Sequence, residues 1–253
     1  MLSKKTFLVI GGGGLLGSHL IASMLDQGAR IIAIDIDLDY MKQKLSLLDI
    51  NLTSKKLSLL SVDITNEDAV KKFFSQINHI DGAVNCSYPR SSNYGNSFLN
   101  VSQADFNNNV ALHLGSAFLI MRECASYFDK NKHKFSLVNL ASIYGSKAPD
   151  FSIYEGTNMT MPVEYAAIKS AIIHLNKYVV SFISDSSFRV NSVSPGGLIA
   201  NQPKEFIDLY KKKTLGKGML SPDDVIETII FLLSNASQFI NGQDIVVDDG
   251  FTL

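Results

Sequence analysis

The chain has 253 residues, 46% of them hydrophobic and 19% charged, with a formal net charge of −1. That composition supports a full hydrophobic core and excludes a disordered chain, while the near-neutral balance offers no basic field to nucleic acid or an anionic membrane. Two cysteines, Cys86 and Cys124, are too few for a disulfide framework and point to a reducing compartment. No stretch approaches the roughly 18 apolar residues of a membrane span, and the apolar run near the start breaks at four glycines. The expectation is a cytoplasmic protein without nucleic-acid or membrane partners.

In chain order, a strand is expected at residues 6–10, followed by the glycine-rich turn IGGGGLLG. Leu16, Leu20 and Met24, with Ile21 and Leu25, then share one face of a helix that stops at Gly28. A strand at 30–34 leads into Asp35 and a helix at 39–48; a strand at 57–62 leads to a helix at 66–77. Further strands are expected at 82–84, 136–140, 189–193 and 244–247, with helices at 103–128, 162–183 and 222–233. Near-continuous apolar strands alternating with amphipathic helices imply a doubly wound, seven-stranded parallel sheet with helices on both faces. No repeat or linker divides the chain, so residues 1–253 read as one domain. Segments 86–102, 143–161 and 194–220 break the alternation. Each follows the carboxyl end of a strand, the edge where open α/β sheets bind ligands.

The glycines carry the first chemistry. Gly11, Gly14 and Gly17 lie between a strand and a helix, where glycine lets the backbone approach a pyrophosphate that faces the helix N-terminus. Asp35 follows at the end of the second strand, where a carboxylate bonds an adenosine ribose and repels a 2′-phosphate. Asp37 and Asp39 compete for that place, and a turn residue is the plainer alternative. A Rossmann-type domain that binds NAD rather than NADP is the reading.

A second signal lies in TMPVEYAAIK, where Tyr165 and Lys169 stand four residues apart on one helical face. With the glycine turn, this order resembles the short-chain dehydrogenase/reductase family over nearly the whole chain. DGAVNCSYP, LVNLASIYG, RVNSVSPGG and NGQDIVVDDG extend the match, and the family's Asn-Asn-Ala-Gly turn takes the form Asn85-Cys86-Ser87-Tyr88. The resemblance implies cofactor contacts from Leu15, Leu16, Asp63, Ile64, Asn85, Cys86, Ser87, Pro195, Gly196 and Leu198, together with Tyr165 and Lys169. It implies a proton transfer by Tyr165 while hydride passes between nicotinamide and substrate carbon, with Ser142 bonding the substrate oxygen. A phenol titrates near 10, so work at neutral pH asks for a drop of roughly two to three units, which a buried Lys169 ammonium and the nicotinamide charge would supply.

The sequence also departs from the family. Ile10 replaces a threonine before the first glycine, and the asparagine of the fourth catalytic position has no clear counterpart. Asn109 is the nearest asparagine and is the candidate; His113 is a rival, and a polar helix start is the plain reading of residues 107–109. The interval between Ser142 and Tyr165 is longer than the family's usual one, and the added segment holds Tyr154, Glu155, Thr157 and Asn158. Those groups suit a polyhydroxyl substrate, with His113 a further substrate candidate, and Arg90 either holds an anionic group as a fork or is solvated. Lys211–Lys213 read as a solvated face. In these parts the chain resembles oxidoreductases of bacterial flagellin modification and surface-sugar pathways, which implies a sugar or phosphosugar of the nonulosonic type. A 3-oxoacyl or small-carbonyl reductase is the alternative enzyme, and a non-catalytic NAD-sensing protein the alternative of another class. The resemblance implies a homodimer or homotetramer through helices 103–128 and 162–183. No metal is expected.

Overall fold

The computed structural model describes residues 2–253. Seven strands form one parallel sheet: β1 (Thr6–Ile10), β2 (Arg30–Asp35), β3 (Leu57–Ser61), β4 (Gly82–Asn85), β5 (Phe135–Leu140), β6 (Phe188–Pro195) and β7 (Asp244–Val247). Their order is β3-β2-β1-β4-β5-β6-β7, so the chain reverses direction across the sheet between β1 and β4. Val9 lies between Ala33 and Val84 in this register.

Side chains alternate along each strand, which divides the core in two. Phe7 and Val9 face Leu20, Ile21 and Met24 of α1 (Leu15–Asp26), Met41 of α2 (Leu38–Ser46) and Ile229 of α8 (Asp223–Leu233). Leu8 and Ile10 face the opposite layer, with Phe73 of α3 (Glu67–Gln76), Ile120 of α5 (Gly115–Asn131) and Ile168 of α6 (Val163–Ile183). Local chemistry sets the helix starts: Asp37 accepts from the Tyr40 N–H at 2.9 Å, and Asn66 from that of Ala69 at 3.0 Å. Among the described residues, no helix is long and apolar enough to cross a membrane.

Two elements differ from the expected ones. The helix expected at 103–128 is α4 (Gln103–Asn109), a π-turn at Val110–Leu114, and α5. A π-turn inserts one residue without breaking the apolar stripe, so periodicity does not register it. Within the segment read as irregular lies α7 (Lys204–Lys211), whose Phe206 and Tyr210 are buried. They join Tyr144, Ile153, Tyr154, Met219 and Phe251 in a small third core above the carboxyl edge of the sheet. The following Lys213 is exposed and pairs with Asp150 at 2.9 Å, which ties this cap together from outside.

Candidate active site

The glycine turn is compact because nothing larger fits. Gly11 has φ +79°, and a Cβ there would stand 2.9 Å from the Ser87 nitrogen; a Cβ on Gly17 would collide with the Gly11 carbonyl oxygen. Gly14 caps α1 with no side chain, which leaves the first N–H groups of the helix, at Leu15 and Leu16, aimed outward. Asp35 Oδ2 accepts the Gly13 N–H at 2.9 Å, fixing the carboxylate beside the turn. Asp63 Oδ1 takes the Thr65 N–H at 2.9 Å, and Ile64 beside it is buried. Asn85 Oδ1 accepts the Ser87 hydroxyl at 2.6 Å, and the Cys86 N–H reaches the Ile10 carbonyl at 2.9 Å. Across the sheet, Pro195 ends β6, the Gly196 N–H bonds the Val247 carbonyl at 2.8 Å, and Leu198 pairs with Leu220. Backbone donors beside a helix N-terminus, flanked by a ribose-height carboxylate, fit a dinucleotide with a free 2′-hydroxyl.

Ser142 follows β5, and its Oγ accepts the Tyr144 N–H at 3.2 Å. Tyr165 and Lys169 face it from α6, and Lys169 donates to the Leu140 carbonyl at 2.6 Å. The Lys169 nitrogen lies 5.5 Å from the Tyr165 ring centre. Burial pushes the Lys169 ammonium down to about 7, opposed by the Cys86 thiol beside it. Burial also raises the Tyr165 phenol, and the Ser142 hydroxyl acts in the opposite direction. The expected lowering, which calls on the nicotinamide charge as well as Lys169, is not supplied by the protein by itself. The reason is that the same apolar surroundings disfavour both the phenolate and the ammonium.

The π-turn sets the two rivals for the fourth position in different surroundings. It brings His113, 3% exposed, to 5.0 Å from the Tyr88 ring, which in turn lies 5.5 Å from Tyr165. Burial and then the Lys169 charge lower the imidazole to about 2, so it is neutral. Asn109 points elsewhere. Its Oδ1 accepts the Ser91 N–H at 2.9 Å, and its Nδ2 donates to the Asp105 carbonyl at 3.1 Å and to Glu164 Oε1 at 3.4 Å.

The expected substrate residues do not converge on one surface. Tyr154 is buried in the third core, 5.1 Å from Phe206, whereas Glu155 and Asn158 are exposed at the end of the added segment. Arg90 is exposed and stacks on Tyr88 at 5.4 Å. Tyr88 itself was not among the expected site residues. The available signal was its place at the end of the turn, where the resembling family has glycine. Among the described residues, no group of three or more His, Cys, Asp or Glu could hold a metal ion.

The chain is similar to proteins of known families over its whole length. A family model described as enoyl-(acyl carrier protein) reductase matches residues 16–252. Post-translational flagellin modification protein A of Campylobacter coli is 34% identical, with 100% of both chains covered. Zerumbone synthase of Zingiber zerumbet is 25% identical over 100% of this chain and 96% of its own. A short-chain dehydrogenase from Leptospira borgpetersenii, solved with bound NAD+, superposes with a TM-score of 0.88 at 30% identity, covering 100% of this chain and 94% of that one.

Proposed function

From the premise that this chain belongs to the short-chain dehydrogenase/reductase family, and is an oxidoreductase of alcohol and carbonyl groups, we propose that it uses NAD to interconvert a hydroxyl and a ketone on a sugar or phosphosugar. The observation that carries the reading is the meeting of Ser142, Tyr165 and Lys169 beside the glycine turn. NAD, when bound, supplies the nicotinamide that takes or gives the hydride.

The chain's own groups do the rest. The N–H groups at the start of α1 and the Gly11–Gly17 turn would hold the pyrophosphate, and Asp35 would hold the adenosine ribose. Ser142 orients the substrate oxygen. In the oxidising direction, once the nicotinamide charge of bound NAD offsets the burial that raises its phenol, Tyr165 would take the alcohol's O–H proton as the C–H hydride leaves to the nicotinamide; reduction runs the same transfers backwards. Lys169 and the neutral His113 complete the cluster, with His113 in the fourth place and Asn109 holding the neighbouring loop.

The sugar reading is supported by the flagellin-modification relative and by the exposed Arg90 guanidinium, which suits a phosphate or carboxylate. A nonulosonic-acid precursor is the finer form of this proposal, and a cytoplasmic homo-oligomer is its setting. The acyl-reductase reading is favoured by the description of the matching family model and by a more distant relative, a 3-oxoacyl-[acyl-carrier-protein] reductase at 24% identity. A screen of phosphosugars, nucleotide sugars and 3-oxoacyl thioesters, followed by NADH absorbance, separates the two. Tyr165→Phe should lower turnover by about 10²- to 10⁴-fold, the range of a positioned proton-transfer group, with NAD affinity nearly unchanged. Retained turnover sinks the proton-transfer role, and retained NAD binding with no turnover in the wild type favours the non-catalytic alternative.

A further inference from the structure

Tyr88 touches several residues of the site at once. It closes the Asn85–Tyr88 turn, so a whole phenol stands where the resembling family has a glycine. Its ring meets His113 edge-on at 5.0 Å and Tyr165 at 5.5 Å, with the Lys169 nitrogen 5.8 Å from its centre. Arg90 stacks on it, and its hydroxyl is hydrogen-bonded to that of Tyr94. The ring is thus held by five neighbours, yet 37% of Tyr88 is exposed.

The loop behind it is fixed as well. Ser91 donates its N–H to Asn109, and Asn109 reaches Glu164, the residue before Tyr165 on α6. Asn109 and Glu164 are 1% and 0% exposed, so water does not compete for these bonds. The wall and the phenol of Tyr165 therefore share one rigid support.

We infer that Tyr88 is a specificity-determining residue: an aromatic wall that limits the bulk a substrate carries on the side of its reacting carbon facing residues 88–94. The inference rests on the reading of Tyr165 as the proton-transfer group. A substrate oxygen must come within about 3 Å of the Tyr165 hydroxyl. The reacting carbon is then about one substituent away from the Tyr88 ring, which cannot turn aside without breaking its contact with Tyr94. Even one methylene in such a place changes kcat/KM by about 10- to 200-fold.

The test uses Tyr88→Gly, Tyr88→Leu and Tyr88→Phe with ketones and secondary alcohols graded from acetone and 2-propanol to acetophenone and 1-phenylethanol. Binding to the protein–NADH complex is read by NADH fluorescence, and turnover is read separately. The glycine variant should gain at least tenfold in affinity for the bulkiest ketone relative to the smallest, and the leucine variant should gain less. The phenylalanine variant, which keeps the ring, should retain the wild-type order. Where the glycine variant no longer binds NADH, the leucine variant carries the comparison. An unchanged order in every variant overturns the wall, as does a phenylalanine variant that shifts as far as the glycine one. A shifted binding order without turnover of these small ketones and alcohols sustains the wall, and the role of Tyr165 is then decided separately by Tyr165→Phe on the substrate found in the sugar screen.

Discussion

At the scale of single residues, the site is built from groups whose burial opposes their charge. Lys169 is 4% exposed and has a carbonyl and two aromatic rings for company, but no carboxylate. Its folded value near 7 lies below its ordinary 10.5. The unfolded chain thus binds the proton more readily, so wild-type stability rises as pH increases from about 7 towards 10.5. The cost is present in full below 7. Lys169→Met should therefore raise stability on the order of 1 kcal/mol near pH 6, with a smaller gain near pH 9, while turnover is lost. Thermal unfolding at the two pH values checks this. An equal gain at both would mean that the burial of the ammonium is not its source.

At the scale of elements, the π-turn at Val110–Leu114 has the largest consequence for chemistry. It leaves Asn109 turned towards Ser91 and Glu164 and carries His113 into the cluster of aromatic and basic groups. The two residues should accordingly fail in different ways. His113→Ala should lower kcat by about 10- to 100-fold, with added imidazole restoring part of it, because a neutral imidazole is missing from the cluster. Asn109→Ala should act chiefly on KM and on the proteolytic resistance of residues 88–94, without imidazole rescue. Steady-state kinetics with and without imidazole distinguish them. Rescue of the Asn109 variant, and none of the His113 variant, would reverse the assignment. The same scale explains α7, whose apolar residues lacked a visible partner until Phe206 met Tyr154 and Tyr210 stacked on Phe251 at 4.4 Å.

At the scale of the molecule, the outer faces of α5 and α6 carry unusual aromatic exposure. Phe118 is 48% exposed, and Tyr178 and Phe182, stacked in parallel, are 64% and 75% exposed. The proposed homo-oligomer would cover this surface with a second copy, since one molecule has no further apolar layer to lay on it. Phe182→Glu should shift the sedimenting species to a monomer with folding intact. A wild-type protein that sediments as a monomer would exclude the assembly.

The sequence by itself determined the alternating strands and helices, the parallel sheet, and the cradle of Gly11, Gly14 and Gly17. Each rests on short-range rules: period-two strands, period-3.6 helices, and turns that only glycine can make. Tyr165 and Lys169 were legible for the same reason, being one helical turn apart. What the tertiary structure decided are relations between segments far apart in the chain. It set His113 against Tyr88, committed Asn109 to Glu164, and placed Tyr154 inside a third core. It also buried the Tyr165 phenol, which pushes it up in the protein alone. Burial and proximity belong to the packed chain, and no local pattern records how much water is left around a phenol.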